Sequence, residues 1–310
     1  MSAAPTVPPA ATAADDEILY ESMPRLRVYK GRVERYLVGS EFVVASTDAA
    51  TGVASRDTTI SPNVSARLYL PRLDAGCPSS STTTAAGSAS SPPSTPPTTP
   101  TSTPSPRAPT PSSSPSSTAS RPSTPSPPRT RTRGTRSPGS APAPPWLARH
   151  ADLSRLYLGG DSAGANIAHH MAMRAGASVR GLVLVHPYFL GSDELGSDGL
   201  DPAARERLGR LWRVACPAAA GEDDPLINPF ADGASGLEDL ACGRVLVCVA
   251  EADVLRDRGR AYYDRLGASG WRGQAEMWQA PGKGHRFHLL EPGCDEAAAQ
   301  DRAISGFLNR

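Results

Sequence analysis

Apolar and polar positions follow two different periods along the second half of the chain. Four short stretches are strand candidates: residues 155–159, 179–185, 244–250 and 274–279. Between and after them, four longer stretches carry apolar residues at helical spacing: 163–175, 201–216, 256–268 and 297–308. Strands that alternate with helices in this way predict parallel strands joined by right-handed crossovers, and therefore an α/β fold whose mostly parallel sheet is flanked by helices.

The first block of the chain, residues 15–76, has a weaker pattern. Residues 35–42 and 64–70 are predicted to be short strands, the second with apolar side chains at every other position. Residues 61–63, Ser-Pro-Asn, predict a turn before it. Two or three strands are unstable alone, so we expect this block to belong to the same domain as residues 146–310.

The segment between these blocks, residues 77–145, differs from both. It contains no Leu, Ile, Val, Phe, Met, Tyr or Trp and no acidic residue. Without large apolar side chains to bury, it cannot offset the entropy lost on ordering, and its Pro/Ser/Thr/Arg-rich composition predicts disorder. A linker or a proline-rich ligand is the ordinary interpretation. However, so long an unstructured stretch is improbable inside a compact domain.

We therefore hypothesise that residues 77–145 are a frameshifted translation that replaces the central strands. With suitable codons, residues 77–87 read in another frame as Pro-Ile-Leu-Val-Tyr-Tyr-His-Gly-Gly-Gly, a buried strand followed by a glycine loop. Residues 132–140 read as Ser-Trp-Asp-Ala-Leu-Ala-Trp, a fragment typical of an amphipathic helix. The original frame would return near Pro145-Trp146.

The composition of the whole chain excludes several classes of function. Its formal net charge is only +1, and no stretch approaches the roughly 18 consecutive apolar residues of a bilayer span. We therefore expect neither nucleic-acid nor membrane partners. The five cysteines lack close paired spacing, which argues against disulfides and a zinc site, and no cofactor motif is present. The N-terminus lacks the layout of a secretory signal, so we expect a cytoplasmic protein.

The clearest chemical signal is the run Gly160-Asp161-Ser162-Ala163-Gly164. It lies between the predicted strand at 155–159 and the predicted helix at 163–175, as expected of a G-x-S-x-G nucleophile elbow. In such an elbow a sharp turn presents the serine hydroxyl, and flanking glycines are needed where strand and helix approach closely. A tight strand-to-helix turn without catalytic function is the alternative interpretation.

A serine hydroxyl becomes a good nucleophile when a general base takes its proton and a carboxylate orients that base. Asp253 follows the predicted strand at 244–250, and His285 lies in the glycine-containing loop 281–285. The chain order Ser, Asp, His is that of α/β hydrolases. A helix N-cap is the alternative role of Asp253, and an exposed loop histidine is the alternative for His285.

Other residues compete for the roles of acid and base. The carboxylates are Asp257, which is simply interpreted as a first-turn helix residue, and Glu251. The histidine nearest to His285 is His288, for which packing is the simpler interpretation. The remaining histidines are interpreted as structural, on the elbow helix or at the end of a buried strand: His169, His170 and His186.

These motifs together resemble the plant carboxylesterase family, within the α/β-hydrolase group related to hormone-sensitive lipase. The resemblance is carried by residues 156–170, 186–189, 223–229, 252–257 and 284–288. It implies cleavage of short carboxylic esters, in which Ser162 attacks the acyl carbon, His285 shuttles the proton and Asp253 holds the imidazole. The N–H of Ala163 would stabilise the oxyanion. The second donor of this family lies on a His-Gly-Gly-Gly loop, which this chain lacks in frame.

Two other functions stay open at this point. Gibberellin receptors belong to the same family but replace the catalytic histidine, so the presence of His285 favours catalysis. The other is an inactive pseudoenzyme, since the chain lacks the glycine loop. The expected partner is a small-molecule ester, and the sequence does not indicate an oligomeric state.

Overall fold

Two small antiparallel sheets make up the described N-terminal part of the chain. In the computed structural model, the described residues are 17–22, 26–29, 33–35, 44–61, 64–71, 151–175 and 179–310. Strands β1 (Ile18–Ser22), β2 (Leu26–Tyr29) and β3 (Val33–Arg35) form one sheet in that order. Strands β4 (Ala54–Ser61) and β5 (Val64–Leu70) form a hairpin. Strands β1 to β3 lie in one compact unit and all later elements in a second.

The second half of the chain forms a four-stranded, wholly parallel sheet in the order β6-β7-β8-β9. Its strands are β6 (Tyr157–Asp161), β7 (Gly181–Val185), β8 (Arg244–Ala250) and β9 (Gln274–Ala280). The helices are α1 (Ala163–Ala175), α2 (Pro202–Ala215), α3 (Arg256–Ala268), α4 (Phe287–Leu290) and α5 (Asp295–Leu308). The predicted α/β architecture is therefore confirmed.

The central strands are apolar along their whole length because helices cover both of their faces. Every residue of β7 is buried, as are six of the seven residues of β8. One set of alternating side chains packs with residues of α1 and α3: Leu182, Leu184, Val245, Val247, Ala168 and Leu266. The other set packs with β6 and α5: Val183, Val185, Leu246, Cys248, Tyr157 and Phe307. Near-continuous apolar runs are typical of strands in such a position.

The predicted elements agree closely with the structure where the apolar pattern is strong. The bounds of β8, α1 and α3 are those predicted, and the other predicted elements of residues 146–310 differ by at most two residues at each end. Strand β5 is also as predicted. Of the strand predicted at 35–42, the structure describes Arg35 alone, as the last residue of β3, and the rest of that strand stays a prediction because residues 36–42 lie outside the described residues.

The segment predicted to be disordered, residues 77–145, lies outside the described residues, as does the turn at residues 62–63. The domain boundaries 15–76, 77–145 and 146–310 therefore stay predictions. Among the helices that the structure describes, none combines the length and apolarity needed to cross a membrane.

A buried histidine connects helices α1 and α3. His169 is 3% exposed, and its Nδ1 lies 3.0 Å from the hydroxyl of Tyr262. Its ring also meets the rings of Phe189 and Tyr262 edge-on. Burial, with a smaller contribution from the neighbouring His170, lowers the pKa of His169 to about 3. His169 is therefore neutral in the folded protein at any pH well above 3.

The neutral state of His169 makes stability depend on pH. In the unfolded chain an ordinary histidine binds a proton below about pH 6.5, whereas folded His169 does so only near pH 3. Stability from this residue is thus complete above pH 6.5 and is lost as the pH falls toward 3. At pH 5 the loss amounts to about 2 kcal/mol for one such residue.

We predict that a His169→Phe variant loses less stability on acidification than the wild type. Between pH 7 and pH 5 its free energy of unfolding should fall by about 2 kcal/mol less, because the proton-binding group is gone. Urea unfolding at the two pH values measures the difference. Equal losses for the two proteins would contradict the prediction.

Candidate active site

Ser162 occupies the sharp turn between strand β6 and helix α1. Its φ angle is 54°, in the left-handed region that non-glycine residues rarely adopt. Two backbone hydrogen bonds hold this conformation: Ser162 N–H donates to the carbonyl of Val185 at 2.9 Å, and Tyr188 N–H donates to the carbonyl of Ser162 at 3.0 Å. The turn is therefore anchored to the end of the neighbouring strand β7, as a nucleophile elbow requires.

The glycines around the turn allow strand and helix to approach closely. A Cβ atom on Gly160 would lie 2.3 Å from the carbonyl carbon and 2.4 Å from the carbonyl oxygen of Gly164. These are backbone atoms, which cannot move aside as a flexible side chain would. Gly160 is thus required by the packing of the elbow.

The three residues identified from the sequence meet at the carboxyl edge of the sheet. The Nε2 atom of His285 lies 2.9 Å from the Oγ atom of Ser162, and its Nδ1 atom lies 2.7 Å from Oδ2 of Asp253. The Asp253 side chain is 1% exposed, whereas that of His285 is 29% exposed. The arrangement leaves the imidazole accessible from solvent on one side and held by a buried carboxylate on the other.

Both carboxylate oxygens of Asp253 have hydrogen-bond partners. Oδ1 accepts from the backbone N–H of Leu255 at 3.0 Å, and Oδ2 faces Nδ1 of His285. The alternative role of Asp253 as a helix N-cap is wrong, because the N-cap residue of α3 is Leu255 and no side chain caps the helix there. The bond from Leu255 N–H to Asp253 instead closes a turn just before the helix. With Nδ1–H donated to the carboxylate, Nε2 is left to accept the serine proton.

Backbone and charged contacts fix the loop that carries His285. Ala252 N–H donates to the carbonyl of Lys283 at 2.8 Å, which ties this loop to the one that carries Asp253. The ammonium of Lys283 lies 2.7 Å from Glu291 and 3.5 Å from Glu296, and the hydrogen bond to Glu291 is the main cause that raises the pKa of Lys283.

The residue after the histidine is tied to the elbow as well. Arg286 has a φ angle of 60°, and its Nε lies 3.2 Å from Oδ2 of Asp161, the residue before the serine. The segments that carry His285 and Ser162 are therefore connected beside these two side chains.

The competing carboxylates have other partners. Asp257 contacts the guanidinium of Arg256 at 2.7 Å, which lowers the pKa of Asp257, and it also accepts from the backbone N–H of Ser197 at 2.8 Å. Glu251 accepts from the N–H of Gly282 at 2.7 Å. Asp257 therefore stabilises the start of α3, and Glu251 holds the backbone of the loop that carries His285 rather than its imidazole.

The competing histidines also lie in other surroundings. His170 lies 3.0 Å from the carbonyl of Leu226, and burial lowers its pKa; His169 contacts Tyr262 as described above. His288 packs edge-on against His186, and burial lowers the pKa of His288 too. These contacts agree with the structural interpretations of the three side chains.

His186 is the residue near this site whose contacts the sequence did not indicate. Its Nδ1 accepts a hydrogen bond from the backbone N–H of Arg286 at 2.9 Å. His186, Asp253 and His285 have ligand atoms within 4.8 Å of one another, a spacing that also fits a metal ion. Hydrogen bonds already engage Nδ1 of both histidines, so we interpret the group as a hydrogen-bonded network.

The predicted oxyanion donor, Ala163, is the first residue of α1 and is partly buried in the described structure. Its position directly after Ser162 fits the role, which stays a prediction. Residues 77–87, where the second donor is expected in the alternate reading frame, lie outside the described residues.

Comparison with known proteins identifies a matching family and several similar plant proteins. A family described as "alpha/beta hydrolase fold" matches residues 132–289. The chain is 39% identical to tuliposide A-converting enzyme 1, chloroplastic, of Tulipa gesneriana, over 99% of this chain and 82% of that protein. It is 34% identical to 2-hydroxyisoflavanone dehydratase of Glycyrrhiza echinata, over 96% and 98%. Probable carboxylesterase 2 of Arabidopsis thaliana is 45% identical over 54% of each chain.

Solved structures match a smaller part of the chain. An esterase from Pyrobaculum calidifontis has 24% sequence identity and a TM-score of 0.43, and the match covers 53% of this chain. The chain spans 56% of the length of that structure.

We predict that Gly160→Ala destabilises the elbow by about 3 kcal/mol or more, because the added methyl overlaps backbone atoms. Gly267→Ala is the matched control: Gly267 lies in α3 and a Cβ there meets no atom within 4 Å, so stability should rise by up to about 1 kcal/mol. Chemical denaturation of both variants measures the contrast. Similar stabilities would show that the elbow tolerates the extra atom.

Proposed function

Because the chain belongs to the plant carboxylesterase family of the α/β hydrolases, we propose that it hydrolyses carboxylic esters with Ser162, His285 and Asp253 as its triad. The observation that carries this proposal is the pair of hydrogen bonds at His285, 2.9 Å to the serine and 2.7 Å to the aspartate. This geometry suits an acyl transfer in two steps.

In the first step, Oγ of Ser162 attacks the acyl carbon while its proton passes to Nε2 of His285. The carboxylate of Asp253 stabilises the imidazolium through Nδ1–H. The tetrahedral intermediate then collapses: the ester C–O bond breaks, the leaving alcohol takes the proton from Nε2, and the acyl group stays on the serine.

In the second step, water attacks the acyl-serine and gives its proton to Nε2 of the same histidine. Collapse of the second tetrahedral intermediate returns that proton to Oγ of Ser162 and releases the carboxylic acid. Every proton taken up by His285 is thus given back, and the reaction needs no cofactor or metal.

The oxyanion that forms in each step needs hydrogen-bond donors. The N–H of Ala163 supplies one, at the start of helix α1, where the helix dipole also favours negative charge. The chain as written has no His-Gly-Gly-Gly sequence for a second. Losing one donor typically lowers turnover about 100- to 1000-fold, so we propose that this chain is a weak esterase.

The proposed substrate is a small ester, and no nucleic-acid, membrane or cofactor partner is part of the proposal. The relatives are named as converting enzymes for tuliposide A, a dehydratase and a probable carboxylesterase. Because these names differ, we propose carboxylic esters as the substrate class and no individual ester. Several relatives are named chloroplastic or amyloplastic. A cytoplasmic location therefore remains a proposal from the sequence.

We predict that Ser162→Ala abolishes both hydrolysis of p-nitrophenyl acetate and labelling by a fluorophosphonate, because the attacking oxygen is removed. Asp253→Asn should lower kcat by about 10⁴, since the amide stabilises the wrong imidazole tautomer. Ser305→Ala is the matched control, because Ser305 is an exposed serine on α5 outside the proposed triad.

Equal rates for wild type and Ser162→Ala would contradict the proposed mechanism. Saturable binding of radiolabelled gibberellin without ester cleavage would instead favour a receptor. A folded protein with neither labelling nor binding would favour a pseudoenzyme.

We predict that a gene rebuilt to read residues 77–145 in the alternate frame encodes a faster esterase. Restoring the glycine loop supplies the second oxyanion donor, so kcat should rise at least about 100-fold. The rebuilt chain carrying Ser162→Ala is the control for background hydrolysis. Genomic and transcript sequences without an alternate frame that encodes a strand would refute the frameshift hypothesis.

A further inference from the structure

We propose that His186 is a positioning residue, which holds the loop of His285 in its reactive place; this inference rests on the proposed function. His186 follows strand β7 directly and is 1% exposed. Its backbone N–H donates to the carbonyl of Cys248 at 2.8 Å, so it is anchored to strand β8 at the carboxyl edge of the sheet.

The contact that carries the inference joins His186 to the residue after the base. Nδ1 of His186 accepts the backbone N–H of Arg286 at 2.9 Å. That N–H belongs to the peptide bond between His285 and Arg286. The hydrogen bond therefore fixes the position of the peptide unit that follows the proposed base, His285. Both bonded residues have left-handed backbones, with φ of 46° at His186 and 60° at Arg286.

Packing alone does not account for a histidine at this position. The Nε2 atom of His186 is buried and has no hydrogen-bond partner among the residues that the structure describes. A buried polar atom of this kind costs free energy, which a leucine of similar size would avoid. A left-handed backbone at a bulky residue adds a further cost. The hydrogen bond to Arg286 gives a reason to retain the imidazole.

The hydrogen bond also requires that His186 be neutral. Nδ1 accepts a proton donor, so the proton of the neutral ring is on Nε2. A protonated ring would instead present N–H to the N–H of Arg286. Burial lowers the pKa of His186 to about 3; of the charged groups around it, Asp253 raises the pKa, whereas His285, His288 and Arg286 lower it.

Neutrality has a second effect, on the base itself. The rings of His186 and His285 lie 5.7 Å apart, centre to centre. During the reaction His285 becomes a cation, and a neutral neighbour avoids placing a second positive charge beside it. His186 can therefore support the position of the base without opposing its protonation.

The experiment compares two substitutions of similar size, of which one retains a hydrogen-bond acceptor and the other does not. His186→Asn keeps a hydrogen-bond acceptor near the position of Nδ1, whereas His186→Leu keeps the volume and removes the acceptor. We expect His186→Leu to lower kcat about 100-fold with KM unchanged, because a small displacement of the base is enough for such a loss. We expect the kcat of His186→Asn to be at least about tenfold higher than that of His186→Leu. The melting temperature of each variant is used to correct its rate for the fraction of folded protein.

Two results would overturn the inference. Per folded molecule, His186→Leu could keep kcat within about twofold of the wild type, which a purely structural residue would allow. Alternatively, His186→Asn could be as impaired as His186→Leu, which would show that the acceptor has no role.

A readout without turnover separates this inference from the proposed function. In ¹⁵N-histidine-labelled protein, NMR should show His186 with its proton on Nε2 from pH 7 to pH 5. The low-field Nδ1–H signal of the bond from His285 to Asp253 should weaken in His186→Leu and persist in His186→Asn. If the wild type neither cleaves esters nor reacts with fluorophosphonate, the proposed function fails; an unchanged signal in His186→Leu means that the positioning role fails.

Discussion

The register of the parallel sheet determines where Ser162, His285 and Asp253 meet. Val185 at the end of β7 pairs with Asp161 on one side and Cys248 on the other, so these strands end at nearly the same level. Ala250 likewise pairs with Ala280 at the ends of β8 and β9. The chain leaves each of these strands into a segment that carries a residue of the site. A one-residue slip of any strand would move its residue by about 3.3 Å, beyond hydrogen-bond distance.

Backbone strain is concentrated around this edge. Among the described residues, three non-glycine residues have positive φ: Ser162, His186 and Arg286. Each such conformation costs on the order of 1–3 kcal/mol and persists only when the surroundings enforce it. Hydrogen bonds connect all three to neighbouring strands or loops. The backbone conformations that cost stability therefore lie where the side chains of the site must be oriented toward one another.

The sequence indicated much of this arrangement, but only where the cause is local. The apolar runs of β7 and β8 and the helical period of α1 and α3 follow from burial, so all four elements were predictable, and the bounds of β8, α1 and α3 were predicted without error. The strands β1, β2 and β4 were not predicted. The sequence of β4, Ala54–Ser61, is largely polar, so it carries little of the apolar alternation from which a strand is predicted.

The candidate site likewise contains residues that the sequence identified and a contact that it did not. The triad was identifiable because the serine lies in a motif and the chain order of the other two residues has precedent. The contact of His186 with Arg286 joins residues that are 100 positions apart and depends on two left-handed backbones, which no local pattern encodes. Only the folded sheet brings these residues together.

The contact between His169 and Tyr262 has a consequence for how the protein can change. Helix α1 starts beside the nucleophile and helix α3 starts beside the acid, and this buried contact makes them parts of one mechanical unit. A shift of one helix relative to the other would break this buried contact. The contact therefore links the positions of Ser162 and Asp253, and under the proposed function differences in substrate selectivity are expected in the connecting loops instead.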